Sequence, residues 1–187
     1  MSERWGLWKR NVLDKYKELE TEEIKNELKK SAHPFSALME HWQGDFNIST
    51  LIRNANSFNA KSVYYIGKKR YDRRGTVGAH HYIDLHFLGD KEELLSLKEK
   101  YTFVVFENNT SKPTVKLNEL SWPSEPLLIF GEEGIGVSDV MMELADIVVE
   151  IPQFGSVRSL NCGTASGIAM YDFCCKEAGT MPSVLSS

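Results

Sequence analysis

The sequence predicts an α/β domain built on a mainly parallel sheet flanked by helices. Two observations lead there. From about residue 47 onward, short apolar runs alternate with stretches whose apolar residues recur at helical spacing. Strands and helices in strict alternation indicate parallel pairing with crossover helices. A glycine-rich turn, Gly131–Gly136, directly follows the apolar run 127–130, which is where α/β sheets place ligands.

The elements follow in chain order. Trp5, Trp8, Val12, Tyr16 and Leu19 fall three and four apart, so one face of an amphipathic helix is expected over 5–19. Thr21, followed by Glu22 and Glu23, marks a second helix start, and His33-Pro34 ends it. Residues 1–44 are therefore expected to form a helical extension ahead of a domain over 45–187. In that domain a helix carries Ile48, Leu51, Ile52 and Ala55 on one face. Strands are expected at 62–67, 83–88, 101–106, 127–130 and 147–151. Helices are expected at 91–100, from Ser138, and over 161–176.

Bulk properties exclude several classes. No apolar run approaches the roughly 20 residues that span a bilayer, and MSERWGLWKR lacks the apolar stretch of a secretory signal. A cytoplasmic protein is expected. Its three cysteines, Cys162, Cys174 and Cys175, read as reduced thiols, because adjacent helical cysteines point about 100° apart and cannot bridge. Their spacing offers no metal site. The net charge is −4, yet Arg53–Arg74 holds seven bases (Arg53, Lys61, Lys68, Lys69, Arg70, Arg73 and Arg74) against one acid, Asp72. That patch can hold phosphates on an acidic protein, since screening confines each charge to roughly 10 Å; charge alone fits a solvated loop equally well.

Three segments carry chemistry. In Asn47-Ile-Ser-Thr-Leu-Ile-Arg53, Asn47 can cap the helix that follows. Arg53 interrupts an apolar stripe, as a snorkelling surface residue or as a charge aimed into a cleft. In Leu127-Leu-Ile-Phe-Gly131-Glu-Glu133-Gly134-Ile-Gly136, the glycines permit a tight turn and close backbone approach to a ligand. It is neither a phosphate-binding P-loop nor a dinucleotide fingerprint. In Ile151-Pro-Gln-Phe-Gly-Ser-Val-Arg-Ser159-Leu160-Asn161, a polar loop enters a helix of small residues that can pack close to neighbouring backbone.

Together and in this order, Asn-x5-Arg, Gly-x-Glu-x-x-Gly and Ile-Pro…Ser-Leu-Asn resemble the motifs of the SpoU (TrmH-like) branch of the SPOUT RNA methyltransferases, over residues 45–178. The resemblance implies a C-terminal deep trefoil knot, S-adenosylmethionine as cofactor without a metal, a homodimer, and methyl transfer to a ribose 2′-hydroxyl of a structured RNA. By position it implies Arg53, Asn47, Glu133, Ser159 and Asn161 as catalytic. It implies Gly131, Ile151, Ser159 and Leu160 as cofactor-binding, with Glu107 a weaker match. Lys68, Lys69, Arg70, Arg73 and Arg74 would hold RNA, with tRNA slightly favoured over rRNA. Guanidinium stays charged in proteins, so Arg53 is expected to clamp a phosphate and orient the hydroxyl rather than act as a literal base. The sequence departs from the family pattern in lacking a separate N-terminal RNA-binding domain and in placing Cys-Gly-Thr after Asn161. Two other readings remain: an inactive RNA-binding member of the same fold, and methylation of a base.

Overall fold

The computed structural model describes residues 11–41 and 46–177. Trp5 and Trp8, which head the first expected helix, lie outside the described residues. The part of that helix that is described does not form: residues 11–19 hold a single 3-10 turn, Asp14–Tyr16. Of the expected apolar face only Tyr16 is buried there, and a short helix without a packed face is marginal in water. The second helix does form, as α1 (Thr21–Lys30), but Glu20 rather than Thr21 is its N-cap. The Glu20 N–H donates to the Glu23 carboxylate at 2.8 Å, one limb of a capping box.

The larger correction is a strand. Ser36–Glu40, inside the stretch read as helical extension, forms β1, with all five residues buried. Ala, Leu, Met and Glu are good helix formers, so the run carries no local strand signal. Its conformation is set by pairing with neighbours on both sides.

The helix α2 (Phe46–Ser57) leads to β2 (Ser62–Ile66), then β3 (Asp84–Leu88), α3 (Lys91–Lys98) and β4 (Thr102–Phe106). A two-residue edge strand, β5 (Val115–Lys116), precedes β6 (Pro126–Phe130), α4 (Asp139–Leu144), β7 (Ile147–Glu150) and α5 (Cys162–Glu177). Apart from β1 and β5, each matches an expected element within a few residues. The seven strands form one sheet in the order β3-β2-β1-β6-β4-β7-β5, and every neighbouring pair is parallel.

Both faces of the sheet are covered. On one, Ala37, Met39, Val63, Val104, Leu128 and Phe130 pack with Leu51 and Ile52 of α2 and Met170 and Phe173 of α5. On the other, Leu38, Phe103, Val105, Leu127 and Ile129 pack with Leu94 and Leu97 of α3 and Met141 of α4. Alternate residues of each strand serve opposite faces, which is why the central strands are apolar throughout. The small residues of α5 do what their size suggests. Cβ atoms added at Gly163 and Gly167 would lie 3.0 Å from Thr50 and 3.1 Å from Asn54. In that gap the Asn54 amide donates to the Gly163 carbonyl at 2.9 Å and the Ser166 hydroxyl at 3.0 Å. The parallel arrangement brings the carboxyl ends of β1, β2, β4, β6 and β7 to a single edge, where the loops that follow them meet.

Candidate functional site

A cavity opens at that edge, beyond the ends of β4, β6 and β7. Its lining includes Phe106, Glu107, Phe130, Gly131, Glu133, Ile151, Gln153, Ser159, Leu160 and Cys162. All five residues expected at a cofactor, Glu107, Gly131, Ile151, Ser159 and Leu160, face this one space.

The glycine turn after β6 forms one wall. Glu132 and Gly136 exchange backbone hydrogen bonds at 3.0 and 2.8 Å, closing a narrow hairpin. Gly134 and Gly136 hold φ at +101° and +83°, a region that favours glycine. The turn is braced from outside. The Val137 N–H donates to one Glu107 carboxylate oxygen at 3.2 Å, and the Asn109 N–H to the other at 2.8 Å. At its far end the Ser138 N–H and hydroxyl donate to the buried Glu40 carboxylate at 2.9 and 2.5 Å. The unexpected strand β1 thus anchors the loop by its last residue.

Glu133 leans out of this turn into a polar cluster. The Asn47 amide donates to Glu133 at 2.9 Å, and the Asn161 amide donates to Asn47 Oδ1 at 2.8 Å and to Glu133 at 3.3 Å. One residue from each of the three sequence motifs meets here. Asn47 does so from within the first turn of α2, so the capping role expected for it is not what its side chain does. Asn161 also accepts the Thr164 N–H at 3.1 Å and so starts α5. Cys162, next in the chain, has its thiol pushed up to about 11 by burial and then by the Glu133 charge. Burial, with neighbouring Cys175, pushes Cys174 to about 11 as well. All three cysteines are free. At pH 8 both the Cys162 and the Cys174 thiol are held almost entirely protonated. Iodoacetamide should therefore label the exposed Cys175 well before the other two, as peptide mass mapping would show.

Arg53 stands apart. It is exposed on α2 and does not line the cavity. It borders a separate groove with Tyr16, Asn56, Thr76 and Tyr82. Six residues separate it from Asn47, about 9 Å along the helix axis. The basic residues Lys68, Lys69, Arg70, Arg73 and Arg74 are all exposed on the loop after β2, at the same sheet edge. That loop is tied to α2: the Ser49 hydroxyl donates to the Asp72 carbonyl at 3.0 Å, and a Cβ at Gly75 would lie 2.7 Å from Ser49. Arg74 differs from the other bases in pairing with Asp72 at 2.5 Å.

Two residues of the site were not among those expected. The Asn108 amide donates to the Ile151 carbonyl at 2.9 Å and accepts its N–H at 3.1 Å, in the manner of a strand neighbour. The Ile151 N–H is spent on this bond, while its carbonyl keeps a second lone pair. Gln153 is the other. Its Oε1 is buried and unpartnered.

An all-parallel sheet with a glycine-walled cavity at its carboxyl edge defines an α/β ligand-binding domain. The model of the SpoU rRNA methylase family matches residues 34–171, and the chain belongs to that family. Among relatives, the tRNA (guanosine(18)-2′-O)-methyltransferase of Aquifex aeolicus is 27% identical over 154 residues, covering 80% of this chain and 72% of the relative. The enzyme of the same name from Thermus thermophilus is 23% identical over 152 residues, covering 80% and 78%. The crystal structure of the A. aeolicus TrmH/SpoU tRNA modifying enzyme superposes with a TM-score of 0.75 at 24% identity, covering 89% of this chain and 88% of that one. The SpoU methyltransferase AviRb of Streptomyces viridochromogenes, solved with AdoMet, has a TM-score of 0.71 at 21% identity; the match covers 80% of this chain and 60% of that one. These likenesses confirm the fold.

Proposed function

We propose that this protein transfers a methyl group from S-adenosylmethionine to a ribose 2′-hydroxyl of RNA, with tRNA the favoured substrate. The observation that carries the reading is the meeting of Asn47, Glu133 and Asn161, one from each motif, in a hydrogen-bonded cluster whose Glu133 also lines the cavity. The relatives named for 2′-O-methylation of tRNA support the same reaction and the same RNA. The cavity fits the cofactor chemically. Phe130, Ile151 and Leu160 offer apolar surface for a purine, while Glu107, Glu133, Ser159 and the turn backbone offer polar edges.

When bound, S-adenosylmethionine supplies an electrophilic methyl on a sulfonium. The chain's own residues position the acceptor. Methyl transfer requires the hydroxyl oxygen on the axis of the methyl–sulfur bond. Glu133, which lines the cavity, fixes the Asn47 and Asn161 amides, and Ser159 lines the same cavity. Arg53, with its exposed fork, clamps the phosphate beside the reacting ribose. The hydroxyl proton passes to a phosphate oxygen or to water as the new bond forms. The basic loop holds flanking backbone. Arg74 is the least available of its members, because Asp72 already occupies it.

The same reading includes a knotted C-terminal segment, a helical lead-in ahead of the methyltransferase domain, a cytoplasmic location, no metal, and a homodimer. Large apolar side chains beside the site support the dimer: Phe46, Ile135 and Phe154 are 84%, 76% and 99% exposed. Ile168 and Tyr171 add exposed apolar surface on α5. Sedimentation at micromolar concentration should give about twice the chain mass of 21.3 kDa; a monomer that methylates RNA would contradict the dimer. Calorimetry tests the cofactor: saturable binding of S-adenosylmethionine that survives a chelator is expected, and no binding at millimolar concentration would overturn the reading. Replacing Lys68 and Lys69 together by Ala should lower the salt slope of RNA binding by about one to two and raise KM. Single-turnover methylation at saturating RNA should change little, because the lost contacts serve ground and transition state alike.

A further inference from the structure

We propose that the groove bordered by Arg53 seats one nucleobase of the bound RNA, with Tyr82 and Val77 as the side chains that pack on it. The proposal rests on the RNA reading above and adds a base site to it, apart from the cofactor cavity.

The groove measures about 430 Å³ and shares no lining residue with the cofactor cavity. Tyr16 lines it from the N-terminal turn, Ile24 and Leu28 from α1, and Arg53 and Asn56 from α2. Residues three apart on a helix share a face. Arg53 is the only charged residue among the described residues of the lining, and none of the ion pairs among the described residues includes it. One cation beside aliphatic and aromatic surface, with an amide on the same helix face, suits an anion that carries a planar apolar group with polar edges. A nucleotide is such a ligand, with its phosphate on Arg53 and its base against the aromatic surface.

The remaining wall is the second half of the basic loop, through Thr76, Val77 and Tyr82. RNA backbone held by the bases of residues 68–74 is therefore delivered to this groove rather than to a distant surface. A second observation marks the same wall. Val77 holds φ at +50°, a left-handed conformation in which a β-branched residue is a genuine outlier. Its side chain is 47% exposed, so core packing does not account for it. The surroundings impose the strain. The Val77 N–H donates to the Arg74 carbonyl at 3.2 Å, and Gly78 follows at φ +89°. The Thr76 hydroxyl donates to the Arg73 carbonyl at 2.7 Å and so accepts from the His80 ring N–H at 2.5 Å. Residues strained in this way cluster at ligand clamps. Glycine or asparagine would adopt this backbone more readily; valine instead sets an apolar face at the rim of the groove, where a base can lie on it.

The test uses Val77→Gly and Tyr82→Leu in the full chain. The probe is whichever of unfractionated tRNA or rRNA accepts label from S-adenosylmethionine, with binding measured over a range of salt. Val77→Gly should weaken binding about fivefold and Tyr82→Leu about tenfold, within the range for losing one base contact. The salt slope should stay that of wild type in both, because no phosphate contact is lost, unlike the Lys68 and Lys69 replacement. Affinity for S-adenosylhomocysteine should not change. The melting temperature of Val77→Gly should equal or exceed that of wild type, since the left-handed backbone no longer carries a β-branched side chain. RNA binding within twofold of wild type in either variant would overturn the proposal and leave the RNA reading intact. So would a lowered salt slope, which marks phosphate contacts instead. A fall in melting temperature with RNA binding unchanged would assign the groove to packing of the chain itself, and a change in sedimenting mass would assign it to a second copy; either overturns the base site. Failure of the wild type to methylate either RNA would overturn the RNA reading together with this one.

Discussion

Replacing Arg53 by Ala should lower single-turnover methylation by a hundredfold or more while leaving S-adenosylmethionine affinity unchanged. The separation of the two effects comes from geometry. Arg53 borders the groove on α2 and is absent from the cavity lining, so its removal takes nothing from the cofactor. The loss in rate is the usual scale for a positioned group that meets charge near the reacting centre. RNA affinity should fall modestly, as for one phosphate contact. Arg53→Lys keeps the charge and loses the planar fork. If the fork orients the ribose through its phosphate, the lysine variant should recover little of the rate. Near-normal turnover with lysine, or a large loss of cofactor affinity with alanine, would contradict the role assigned to Arg53.

Gly131→Ala should be the most damaging single methyl among the described glycines. A Cβ there would lie 2.3 Å from the Gly136 carbonyl carbon and 2.4 Å from both the Gly136 oxygen and the Val137 nitrogen. All three are backbone atoms, so no side chain can swing aside. The hairpin bonds between Glu132 and Gly136, the Glu107 brace and the Ser138–Glu40 anchor hold the wall in place from the other side. The turn must then shift as a unit, which moves Glu133 away from Asn47 and Asn161. Overpacking of this kind costs about 1–3 kcal/mol, or roughly 3–10 °C in Tm for a chain this size. Cofactor affinity should fall by about a hundredfold or more, because the displaced turn is the wall of its cavity. A variant that melts within a degree of wild type and binds cofactor normally would show that the turn is looser than its hydrogen bonds imply.

The residues that converge at the site were legible because each motif carries its own local reason to be where it is. Glycines after an apolar strand announce a turn with backbone close to something, and the structure places that turn against the cavity. The polar loop before a small-residue helix announces close packing, and Asn54 fills the gap that Gly163 and Gly167 leave. What local pattern could not convey was anything fixed by partners distant in sequence. Ser36–Glu40 has helix-forming side chains and becomes a central strand because β2 and β6 flank it. Glu40, which no sequence pattern singles out, is the buried anchor of Ser138. Asn108 sits among residues with no telling spacing, and its role follows from its bonds to Ile151, 43 residues on. The reverse error occurred near the N-terminus. A helical period over residues 5–19 found only Tyr16 to bury among its described positions, and the described part stayed a single turn.

The central claim is the atom methylated. Incubating the protein with methyl-labelled S-adenosylmethionine and, separately, tRNA and rRNA, followed by alkaline hydrolysis, tests it most directly. A methylated 2′-oxygen cannot attack the neighbouring phosphodiester, so the label should emerge in an alkali-stable dinucleotide, from tRNA in the favoured case. Label recovered in alkali-released mononucleotides with the methyl on the base, or no transfer to either RNA by a protein that binds the cofactor, would contradict it.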